Sequence, residues 1–126
     1  MSTFAFIQVI FLLLIANSTF FSGIFFMNGQ LFPESFAIIY EKTNYVVRVI
    51  IALATFFCVG NILISYGFSH FDPAVVAPVN LVAAILSQIV ITCLVFKFTP
   101  SLMIIPATTV VMLGSYWVYV ILKTGS

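Results

Sequence analysis

The stretch Phe71–Phe96, FDPAVVAPVNLVAAILSQIVITCLVF, decides how this chain is read. It opens with Asp72-Pro73. An aspartate accepts hydrogen bonds from the free N–H groups at a helix start, and proline at the first helical position gives up a donor that has no partner there. From Ala74 to Phe96 no residue is charged, and the run is long enough to cross a hydrocarbon core about 30 Å thick. Pro78, Asn80, Ser87 and Gln88 nevertheless sit inside it. Lipid offers those groups no hydrogen bond, so they are expected to face protein, water or a ligand inside a helix bundle.

The rest of the chain agrees with a bilayer setting. Of its 126 residues 63% are hydrophobic and only 6% charged, against roughly a quarter charged in soluble domains. Net charge is +1, which leaves no basic face for nucleic acid. Three further apolar stretches are spaced like spans. The expected membrane helices run over 4–27, 45–68, 74–96 and 102–122, giving an all-α, single-domain bundle of four transmembrane helices. The first is expected to remain as a span and not to be cleaved, because its apolar run exceeds a signal peptide's and no basic segment precedes it.

The connections are short except one. Asn28–Asn44, NGQLFPESFAIIYEKTN, is the most polar segment. Asn28-Gly29 ends the first helix, and Phe36–Tyr40 is expected to form a short turn with its rings at headgroup depth. Arg48 enters the second span and is expected to snorkel toward the interface. Gly60, Asn61, Ser65 and Gly67 thin the second half of that span, predicting close helix approach and one interhelical hydrogen bond. Tyr116, Trp117 and Tyr119 form an aromatic belt in the fourth span. Positive charge on the loops favours termini outside the cytoplasm by about two charges.

No catalytic pattern is present. The chain has one histidine, its three carboxylates lie in connections, and Cys58 and Cys93 have no CxxC spacing. Neither an enzyme nor a bound metal or cofactor is expected.

The run ISYGFSHFDPAVVAPVNLVAAILSQIVITCLVFKFTPSLMIIPA resembles the small multidrug resistance proteins and one half of the larger drug/metabolite transporters. Tyr66-Gly67-Phe68, Asp72-Pro73, Lys97 and Pro106-Ala107 follow the order of those families. The resemblance spans about Ile15 to Val120, with few strict identities and a longer first connection. It implies a transporter that works as a homodimer or with a homologous small membrane partner. Small multidrug resistance proteins carry a proton-exchanging glutamate in the first helix; anchoring on Gly29 puts Asn17 at that place. Their drug-stacking aromatic falls at Asn80, and their glycine pair near Val82 and Ala84. Asparagine does not titrate, so proton-coupled export of cations is not expected by that route.

The departures resemble another branch, the small four-span subunits that move lipid-linked sugars, such as aminoarabinose-lipid flippase subunits. That resemblance implies a bacterial inner membrane, a polyprenyl-linked sugar as substrate and membrane lipids as surroundings. Asn17, Asn61, Asn80 and Gln88 are the candidate polar floor for the headgroup. Ala107, Gly114 and Ser115 are the candidate oligomer contact, since small residues let backbones approach. Two other readings stay open: an assembly subunit that transports nothing, and a small-cation or drug exporter. The same amides also serve simple helix packing. Whether Asn17 and Asn80 share a wet cavity separates the flippase from the assembly subunit.

Overall fold

A computed structural model describes residues 1–125, and among these there is helix and no strand. Helix α1 is Thr3–Met27, α2 the short Ala37–Lys42, α3 Tyr45–His70, α4 Pro73–Phe96 and α5 Ile104–Thr124. The four long ones are apolar and long enough to cross a membrane. The protein is therefore read as an integral membrane protein. Several helix ends fall where chain chemistry directs. Ser2 accepts from the Ala5 N–H, Asn44 from Val47 and Asp72 from Ala74, so three of the four spans carry a side-chain N-cap. Lys97 closes α4 in the left-handed conformation.

Helix α1 is the centre. A third of its most apolar window is buried, against 6% for α5. It packs along α3 on one side and along α4 on the other, whereas α5 touches α4 alone among the helices. Helices α1 and α4 run parallel: Leu13 and Val76 share a core at one end with Val9 and Ala83, and Phe25 meets Phe96 edge-on at the other. A second core, around Phe26, Leu31 and Ala52, seals the long connection with Phe36 and Tyr40.

The contact between α1 and α3 is set by missing side chains. A Cβ on Gly60 would lie 2.7 Å from Phe20 and 3.2 Å from the Ala16 carbonyl oxygen; one on Gly23 would lie 2.7 Å from the Phe56 Cβ. Backbones approach this closely only where no Cβ intervenes. At the Gly23 contact α3 widens into a π-helical turn, Leu53–Phe57, which includes Phe56. The turn brings Phe57 against Phe20, ring centroids 4.8 Å apart.

Three expectations are corrected here. Asn61, expected to supply an interhelical bond, is exposed and makes none. Gln88, expected to face the bundle, is also exposed. Each follows an inward residue, Gly60 or Ser87, and one residue along an α-helix turns the side chain by about 100°. Arg48 does not simply reach outward. Its Nε donates to the Met27 carbonyl at 2.9 Å and its terminal nitrogen to Thr43 at 3.1 Å, with the guanidinium 5.9 Å above the Tyr40 ring.

Candidate functional site

Asn17 and Asn80, though 63 residues apart in sequence, meet between α1 and α4. The Asn17 amide donates to the Asn80 Oδ1 at 2.9 Å and to the Leu13 carbonyl of its own helix at 2.8 Å. Asn17 is 6% exposed. Next to Asn17, Ser18 donates at 3.3 Å to the hydroxyl of Ser87, about two turns beyond Asn80 on α4, and Ser87 donates to the Leu14 carbonyl at 3.4 Å. These groups form a polar seam that ties α1 to α4, and no charge is buried in it. Of the four candidate floor residues, the structure brings together two. Asn61 and Gln88 lie on outward faces, apart from the seam.

A larger concavity than the seam offers lies elsewhere. Because α5 leans on α4 without reaching α1, a groove of about 770 Å³ opens between the three helices. Its walls are apolar, among them Phe6, Ile10, Val79, Val82 and Leu86. Pro78 stands in the wall, in the first turns of α4. The groove begins at the membrane end where Thr3, Asp72 and Lys123 come together and ends near Leu14 and Leu86. At 1.5 Å per residue, Leu14 lies about 17 Å along α1 from Thr3, roughly half of that helix. Neither Asn17 nor Asn80 lines it. Ser115 does, and is nearly buried there, while Ala107 and Gly114 are exposed and a Cβ on Gly114 would meet nothing within 4 Å.

The polar end is an ion pair between Lys123 and Asp72, with both side chains partly exposed. The Lys123 ammonium, then the Ala74 N–H, hold the Asp72 carboxyl below its usual range. Tyr116 and Tyr119 stand beside it, their rings 6.1 Å apart. The mouth thus carries both signs of charge and two aromatic rings. Sequence reading missed this site because it needs Asp72, Lys123 and Thr3 from three separate helix ends; only the charge of two of them was visible.

At the opposite membrane end, burial raises the Tyr40 phenol above its ordinary value, although a bond to the Leu31 carbonyl and nearby Arg48 oppose the shift. Among the described residues, no group of three or more His, Cys, Asp or Glu is placed to hold a metal ion. No family model, curated protein or solved structure matches the chain.

Proposed function

We propose that the protein is a transporter or flippase subunit that takes an amphiphile into the groove between α1, α4 and α5. This is the role implied by its resemblance to drug/metabolite transporters. The observation that carries the reading is the groove's polarity: an apolar trough with Asp72, Lys123 and two tyrosines toward one end. In a bilayer such a trough fills with a hydrocarbon chain, and a headgroup remains at the mouth. A polyprenyl-linked sugar has that division. The trough stops near mid-helix, so crossing the membrane needs a second half from a paired subunit or from another conformation. A bacterial inner membrane suits such a substrate.

The amides of Asn17 and Asn80 bond to each other and line no part of the groove, which moves the substrate away from them and onto the groove. It also favours a second reading. A bundle whose buried polar groups satisfy each other is what a non-transporting assembly subunit requires. Reconstitution separates the two. With a fluorescent polyprenyl-phosphate sugar in vesicles, transport predicts faster exchange between leaflets than in protein-free vesicles, cut about tenfold by Val82→Trp, which fills the groove. Exchange no faster than in empty vesicles, with no lipid retained in native mass spectra, selects the assembly subunit.

A further inference from the structure

Asn61 carries the one side-chain amide of α3, and the monomer leaves it unanswered. Among the described residues its side-chain amide has no hydrogen-bond partner, and the residue is exposed. It lies about 24 Å along the helix from Tyr45 and about 14 Å from His70, well inside the apolar depth. At that depth water does not reach the amide and lipid offers it nothing; such a group is expected to find a partner on another helix.

We infer that the outer face of α3 around Asn61 is an interface with a second copy of this chain in the same orientation. Two features select that occupant. First, a carboxamide carries a donor and an acceptor together, so it is its own complement. A two-fold axis along the membrane normal brings Asn61 of two copies to one depth, where each amide satisfies the other. Second, the same face is small above and below the amide. Cys58 and Ser65, three residues before and four after, are exposed and share its side of the α-helix. Small residues there permit the close approach that a short asparagine needs to reach across. The interface differs from the one implied by Ala107 and Gly114 on α5, a face that carries no side-chain amide. It also stands apart from the groove, which α3 does not line.

Cysteine cross-linking in native membranes tests this, with Cys93→Ser as background. Cys58 is near the middle of α3 and reports contact in either relative orientation. Ser65→Cys, in a Cys58→Ser and Cys93→Ser chain, lies about 30 Å from Tyr45 and about 8 Å from His70, so it cross-links to itself only between copies facing the same way. Both positions are expected to give a dimer band on mild oxidation. Asn61→Leu is expected to lower the dimer fraction about tenfold at limiting protein-to-lipid ratio, with helix content unchanged, and Asn61→Gln to restore most of it. Gln88→Leu, at another unpartnered amide within a span, is expected to change nothing. A Cys58 cross-link without one at Ser65→Cys overturns the proposal in favour of opposed copies. A cross-link to a protein of another mass, no cross-link at all, or loss of the dimer in Gln88→Leu but not in Asn61→Leu also overturns it.

Discussion

The Asn17 amide spends both of its hydrogens inside the protein, one on Asn80 across the α1–α4 contact and one on Leu13 a turn back along its own helix. The bond to Asn80 is the one that crosses between helices, so the pair helps to set the register of the two parallel helices. Asn17→Leu and Asn80→Leu are each expected to destabilise the bundle by about 1 kcal/mol, in line with interhelical hydrogen bonds in membranes. Because they delete the same bond, the double variant should cost less than the sum of the singles. Unfolding midpoints in mixed detergent micelles for the four chains give the coupling, and strictly additive losses would mean that the bond contributes nothing.

Gly60 and Gly114 make a matched contrast. A Cβ on Gly60 presses into Phe20 and the Ala16 carbonyl, whereas one on Gly114 enters open space. Phe20 is a ring already packed against Phe57, so it has little room to give way. Gly60→Ala is expected to lose about 1–3 kcal/mol through overpacking. Gly114→Ala is expected to be neutral or to gain up to about 1 kcal/mol from helix propensity. The same unfolding assay reads both. Equal effects would show that α1 and α3 can separate without loss.

Four spans were legible in the sequence because charge is so rare that its positions bracket them, and because Asp72-Pro73 marks a helix start. What the sequence hid is azimuth. Ser87 and Gln88 are adjacent and both polar, yet one faces Ser18 and the other faces out; composition alone does not choose between them. Gly60 and Asn61 divide in the same way. The groove was hidden for a different reason. It exists because α5 fails to reach α1, and nothing in the apolar pattern of α5 distinguishes a helix packed on two neighbours from one packed on one.

Arg48 lay beyond sequence reading as well, since its partners are carbonyls on a connection whose path had to be known first. Met27, Tyr40 and Thr43 present their oxygens to it, the Tyr40 contact at 3.4 Å being the longest. One planar guanidinium thereby holds the end of α1, the end of α2 and the approach to α3. Lysine keeps the charge but has a single nitrogen without the fork geometry. Arg48→Lys is therefore expected to loosen the 28–44 segment while leaving the spans intact. Hydrogen–deuterium exchange should rise several-fold over residues 37–47 and stay unchanged within α1 and α4. Unaltered exchange over 37–47 would show that the apolar cluster of Phe26, Phe36 and Tyr40 suffices.

The ion pair at the groove's mouth carries a pH dependence whose sign follows from the Asp72 shift. The Lys123 hydrogen bond lowers the folded carboxyl's pKa beneath its unfolded value, so its contribution is complete above the ordinary aspartate range and is lost as pH falls through the lower, folded value. Thermal stability in lipid nanodiscs is therefore expected to be flat with respect to this group from neutral pH down to the ordinary aspartate range, then to decline under more acidic conditions. Asp72→Asn keeps an oxygen for the Ala74 N–H, so the α4 cap survives and only the pairing with Lys123 is removed. That variant should lose the acid-dependent step and show a small, salt-insensitive stability at neutral pH, whereas the parent loses part of its advantage in high salt because the pair is solvent-accessible. An acid step of the same size in Asp72→Asn would assign it to another carboxyl, Glu34 or Glu41, and would leave the mouth of the groove held by packing of α5 on α4 alone.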